Sequence, residues 1–186
     1  MDYKKSVKEY LNMIKDAVDA VDVDAVNDII NLLTEAKDAK KKIFIMGNGG
    51  SGANASHIQG DFNKGLSLGK PEDERFRVSC LNDNASTVLS LANDVSYDDI
   101  FIEQLKNFLD DGDIIIGISG SGNSENVLKA VRYAKERGNK VIGFTGFDGG
   151  MLKKECDLSF HVESNSMQIT EDLHMMLGHL FYHVLK

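Results

Sequence analysis

Two loops and two pairings of histidine with carboxylate hold the residues that could do chemistry. The segment ISGSGNSENV (118–127) places Ser119, Ser121 and Ser124 within six residues, interleaved with Gly120 and Gly122. Three hydroxyls, glycines that let backbone N–H groups approach closely, and a helical pattern beginning behind them are the parts of an anion cradle. A capped turn would account for Ser124 alone and leave the other two serines without a purpose. The segment KIFIMGNGGSGANASH (42–57) ends an apolar run at Gly47 and continues with Gly49 and Gly52, the G-x-G-x-x-G spacing of a dinucleotide turn. That reading requires an acidic residue about 20 positions further on, at the end of the next strand. Residues 67–75 instead form a loop holding the chain's only proline, Pro71, and the next apolar run ends at Leu81 beside Asp83. The spacing therefore argues against the dinucleotide reading of this loop.

His57 and Asp61 stand four apart, on one face of the helix expected to follow the glycine loop. One imidazole and one carboxylate at that spacing can share a divalent metal or act as an acid–base pair. A surface ion pair has the same spacing. The segment TEDLHMMLGH (170–179) adds Glu171, Asp172, His174 and His179. His174 and His183 read as packed or solvated helix histidines, and His161 as a structural residue of a strand. Met175, Met176, Leu177, Leu180 and Phe181 read as core and subunit contacts.

These groups need a scaffold, and the hydropathy pattern supplies one. Five apolar runs, 42–47, 76–81, 113–119, 140–146 and 158–162, read as strands, most of them apolar on both faces as in a parallel sheet covered by helices. Helical patterns separate them, notably 124–138 with Gly138 as its stop, and a long one closes the chain from Gln168. Before the first strand, Val7, Leu11, Ile14, Val18 and Val21, then Val26, Ile29, Ile30, Leu33 and Ala36, recur at helical spacing. They predict two helices broken near VDVD, with Asp22 or Asp24 as the second cap. The expected fold is a doubly wound α/β domain spanning 1–186, with the N-terminal helical pair in 1–41. In such folds ligands bind at the carboxyl ends of the strands, where both loops fall.

Composition narrows the function. With 42% hydrophobic and 27% charged residues the chain has the make-up of a soluble globular protein. A net charge of −8 argues against general nucleic-acid binding, which needs a basic face. No stretch approaches the ~20 apolar residues of a membrane span. The charged opening MDYKKSVKEYLNMIKDA lacks the features of a secretory signal. Two cysteines, Cys80 in an apolar run and Cys156, make no disulfide framework, and a reducing cytoplasm is the expected setting.

The segments GNGGSGANASH, LANDVSYDDIF, ISGSGNSENVLKA and VIGFTGFDGG, in this order, resemble the sugar isomerase (SIS) family, and within it the phosphoheptose isomerases. The resemblance runs through nearly the whole chain. It implies a five-stranded parallel sheet and a homotetramer with active sites between subunits. It also implies aldose–ketose isomerisation of sedoheptulose 7-phosphate or a similar sugar phosphate. By the same resemblance Ser51, Ser119, Ser121 and Ser124 hold the phosphate, with Gly120 in the same loop, and Asn48, Gly49, Gly50 and Asp94 line the substrate pocket. The family's metal site, zinc in some members, would use His57, Asp61, Glu171 and His179, with Asp61 as base, His179 as acid and Glu171 as the alternative catalytic residue. Asp61 stands where the family has Glu, and Glu171 where it has Gln. These departures keep a second expectation open, a non-catalytic SIS module that binds a sugar phosphate or a protein partner.

Overall fold

A computed structural model describes residues 1–186. Two helices open the chain, α1 (Lys4–Asp19) and α2 (Val23–Asp38). Asp22 caps α2, its carboxylate accepting from the Ala25 N–H at 3.0 Å. The apolar stripe of α2 is buried through Val26, Ile29, Leu33 and Ala36, whereas on α1 only Ala17 is buried. Val7 and Leu11 of α1 remain 56% and 59% exposed.

Five strands follow: β1 (Lys42–Gly47), β2 (Arg77–Cys80), β3 (Ile114–Ile118), β4 (Lys140–Thr145) and β5 (Leu158–His161). They form one parallel sheet of order β2-β1-β3-β4-β5. β3 is buried along its whole length, as its run of isoleucines demands once helices cover both faces. Those helices are α3 (Gly49–Gly60), α4 (Ala85–Asp94), α5 (Ile102–Phe108), α6 (Glu125–Glu136), α7 (Gly150–Glu155) and α8 (Met167–Leu185). One apolar cluster, with Ile45, Ile58, Phe62, Ile118, Leu173 and Phe181, fills the side carrying α2, α3 and α8. Another, with Phe44, Met46, Phe101, Leu105 and Val131, fills the side of α5, α6 and α7. Cys80 is buried as expected, which pushes its thiol up to about 12. No helix is long and apolar enough to cross a membrane.

The strand order reverses direction between β1 and β3, and the chain leaves both strands at that point into the two candidate loops. A crevice at such a switch point is where doubly wound sheets bind ligands.

Candidate active site

At the carboxyl ends of β1 and β3 lies a cavity of about 270 Å³. It is lined by Asn48, Gly49, Gly50 and Ser51 from the first loop, Ser119, Gly120, Ser121 and Ser124 from the second, and Met167 and Glu171 from α8. All the candidate pocket residues except Asp94 therefore meet here. Asp94 ends α4, is exposed, and accepts from Asn93 Nδ2 at 2.7 Å.

Local geometry explains how a helix follows each strand so abruptly. Asn82, just past β2, bonds Gly47 twice: its Nδ2 donates to the Gly47 carbonyl at 2.7 Å and its Oδ1 accepts from the Gly47 N–H at 3.2 Å. That extends the sheet by one residue and delivers the chain to α3. In the second loop Ser124 occupies the position that opens α6, yet its hydroxyl makes no capping bond. It pairs with Ser119 Oγ at 2.9 Å instead. Ser124 thus leaves the N–H groups of Glu125 and Asn126 without a capping partner, and two hydroxyls stand side by side next to them. Gly122, at φ +66°, makes the turn between them.

Glu171 is the one ionisable side chain of the pocket wall. Its carboxylate lies over Gly50, where a Cβ would come within 2.3 Å of Oε1. Asn54 Nδ2 donates to its backbone carbonyl at 2.9 Å and so ties α8 to α3.

The metal and acid–base candidates separate into two places. His57, Asp61 and His179 converge, with one ligand atom of each lying within 4.8 Å of the others. The two Nε2 atoms are 3.0 Å apart, and Asp61 Oδ2 is 3.5 Å from His57 Nε2 and 4.0 Å from His179 Nε2. Glu171 is not in this group. α8 runs unbroken between Glu171 and His179, and eight residues of helix rise about 12 Å. The set that the family resemblance implies is therefore divided in this chain: three residues form a cluster and the fourth lies over Gly50 on the pocket wall.

The cluster fits a divalent ion. Asp61 Oδ2 is shut off from solvent and has no hydrogen-bond partner, a costly state for a carboxylate oxygen. Two imidazole nitrogens and this oxygen, at 3.0 to 4.0 Å, have the mutual spacing of donors that would hold one zinc at about 2 Å. Asp61 keeps helical φ −64° and ψ −42° directly after α3, which sets it one turn beyond His57, and residues Asp61–Gly65 then form a π-helical turn.

The other histidines stay out of the site. His174 is fully buried between Phe144 and Phe160, its Nε2 bonded to the Thr145 carbonyl at 3.2 Å. Burial pushes it down to about 4. His161 Nδ1 pairs with the Thr145 hydroxyl at 3.0 Å. Three neighbours of the pocket go unpredicted by the sequence: Met167, whose sulfur packs over Gly120, and Tyr97 and Asn126, both bonded to Asn48. The only signal for Asn126 is its place in the SENV opening of a helix.

A serine-lined pocket at the switch point of a 2-1-3-4-5 sheet is a ligand site of a doubly wound α/β protein, and the chain belongs to the SIS domain family, whose model matches residues 2–146. The phosphoheptose isomerase of Clostridium acetobutylicum is 37% identical over 158 residues, spanning 85% of this chain and 79% of the relative. That of Thermodesulfovibrio yellowstonii is 34% identical over 178 residues, spanning 96% and 85%. Among solved structures, the phosphoheptose isomerase GmhA of Neisseria gonorrhoeae superposes with a TM-score of 0.86 at 27% identity, covering 97% of this chain and 95% of that one. A phosphoheptose isomerase from Francisella tularensis shares the fold with a TM-score of 0.90 at 23% identity, covering 100% and 98%.

Proposed function

We propose that the protein is a phosphosugar isomerase that interconverts the ketose and aldose forms of sedoheptulose 7-phosphate or a similar sugar phosphate. The carrying observation is the serine-lined pocket with the His57–Asp61–His179 cluster about two helical turns beyond it along α3 and α8. A rise of about 12 Å separates Glu171, at the pocket, from His179. A chain of seven carbons ending in a phosphate ester extends about 10 Å at the ~1.2 Å per bond of an extended chain. A long sugar phosphate could thus be anchored at one end and react at the other.

Ser119, Ser121, Ser124 and Ser51 hold the phosphate, with backbone N–H groups of both loops. Asn48, Gly49 and Gly50 border the sugar. Asp61 takes the proton from the carbon beside the carbonyl, and that C–H pair becomes the double bond of an enediol. His179 protonates the carbonyl oxygen. Return of the proton to the neighbouring carbon, with loss of the other hydroxyl proton, completes an isomerisation that needs no oxidant. Glu171, on the pocket wall, is the second carboxylate within the site. His57, Asp61 and His179 would hold a zinc ion, whose chemistry when bound is polarisation of the sugar oxygens. The exposed apolar positions of α1, Val7 and Leu11, support assembly into the homotetramer characteristic of the family resemblance, and the free thiols suit a cytoplasmic setting.

The test is to incubate metal-stripped protein with sedoheptulose 7-phosphate, with and without zinc, and follow the heptose products by NMR. Turnover that rises with zinc is the expected result. Ligand-induced shifts without turnover in either condition would overturn the enzyme reading and leave a binding module.

A further inference from the structure

Asn48 occupies the position that opens α3, yet its side chain caps nothing. Its amide is paired with another. Asn48 Nδ2 donates to Asn126 Oδ1 at 2.8 Å, and Asn126 Nδ2 donates to Asn48 Oδ1 at 3.0 Å. The Tyr97 hydroxyl donates to the same Asn48 oxygen at 2.9 Å. Asn126 Oδ1 also accepts from the Val127 N–H at 2.9 Å, in the first turn of α6.

One buried amide therefore grips both the residue that opens α3 and the first turn of α6, the two helices whose N-termini face the pocket. Asn126 is 1% exposed and does not line the cavity. Tyr97 belongs to a 3-10 turn, Tyr97–Asp99, that is itself fastened to α6: Lys129 Nζ donates to Asp99 Oδ1 at 2.9 Å. The bonds form a closed circuit between the glycine loop, the serine loop and the turn after α4. A reciprocal amide pair is satisfied only by asparagine-like groups on both sides. A side chain lacking either the donor or the acceptor leaves a group of Asn48 without its partner.

We propose that Asn126, assisted by Tyr97, is a positioning residue that sets the spacing between the two loops, so that phosphate affinity depends on side chains that do not touch the ligand. The inference rests on the reading of the pocket as a sugar-phosphate site. Backbone N–H groups on two separate elements can bind one phosphate only when both reach it at hydrogen-bond distance, and that distance tolerates only a few tenths of an ångström. The amide pair fixes that separation from behind the site.

The experiment titrates the full-length protein with sedoheptulose 7-phosphate and, separately, inorganic phosphate by calorimetry, and measures KM and kcat on the sugar. Tyr97→Phe removes one bond from an exposed hydroxyl and preserves the fold. It is expected to raise Kd and KM about fivefold with kcat unchanged. Asn126→Ala is expected to raise both tenfold or more, again with kcat within about twofold. A merely structural role would lower the melting temperature and the active fraction while leaving KM and the phosphate Kd where they were. That outcome in both variants would overturn the inference. A wild-type protein that binds neither probe would overturn the sugar-phosphate reading itself, and so the two failures are told apart.

Discussion

Gly178 is where the helices bearing the cluster press together, and replacing it with alanine separates activity from stability. A Cβ at position 178 would stand 2.5 Å from Ile58 Cγ1 and 3.2 Å from Ile58 Cδ1. Carbon atoms settle at about 3.5–4.0 Å, so the contact must open by roughly 1 Å. Ile58 is 1% exposed and packed into the core, so it cannot swing aside freely. Overpacking of this kind costs about 1–3 kcal/mol. The gain in helix propensity from glycine to alanine returns about 1 kcal/mol, leaving a net loss near 1 kcal/mol. The next residue is His179, held 3.0 Å from His57. A displacement of ~1 Å there can reduce catalysis ~100-fold. Gly178→Ala is therefore expected to melt within a few degrees of the wild type, lose about two orders of magnitude in kcat/KM, and bind zinc more weakly in a chelator competition. Ile58→Ala in the same chain removes the two opposing carbons and is expected to recover much of the loss. Wild-type zinc affinity and turnover in Gly178→Ala, or no recovery in the double variant, would refute the reasoning.

Three further outcomes follow from the same geometry. Gly122→Ala meets both a φ of +66° and the Gly149 carbonyl oxygen 2.0 Å from the new Cβ, whereas Gly49→Ala at φ +54° meets nothing within 4 Å. Denaturant titration should show the first losing about 2–5 kcal/mol and the second about 1–2 kcal/mol. His174 is neutral in the fold because burial holds it down to about 4 from an ordinary 6.5, and its Nδ1 has no partner that could receive a proton. The unfolded chain binds that proton first as pH falls. Stability on this account is therefore complete above pH 6.5 and lost progressively toward pH 4, by about 3 kcal/mol in all. Melting temperatures of the wild type and His174→Gln between pH 7 and 4 should show a flatter profile for the variant, and parallel profiles would count against the account. Excess zinc is expected to raise the melting temperature of the wild type, since an ion that binds only the folded cluster stabilises it by mass action. His57→Ala and His179→Ala should lose that rise, and a rise retained in both would remove the cluster as the metal site.

How much of this was legible beforehand depends on the range of the interaction. The isoleucines of β3 and the alternation of apolar runs with helical patterns announce a parallel sheet, because burial on both faces leaves few other arrangements for such runs. The three serines around Gly120 and Gly122 likewise announce that they share one loop at the cavity, because the groups concerned lie within one turn of chain. Strand limits shift by only a residue or so at each end. The short helices α4, α5 and α7 were less visible: α4 has no buried residue, and its hydropathy pattern carries correspondingly little information.

The sequence by itself determined the five strands, the longer helices, the two glycine- and serine-rich loops and the His57–Asp61 pair, since each is a matter of local spacing. It also determined that Glu171 and His179 lie about 12 Å apart, provided that α8 is unbroken. Which of them would meet His57 was decided only by the tertiary structure, through the packing of α8 on α3, where Gly178 stands against Ile58. The tertiary structure alone turned Ser124 from a helix cap into a partner of Ser119, left Asp94 outside the cavity, and paired Asn48 with Asn126 across 78 residues. The Asn48–Asn126 pairing depends on the distance between α3 and α6 in space, which packing sets and no spacing along the chain records.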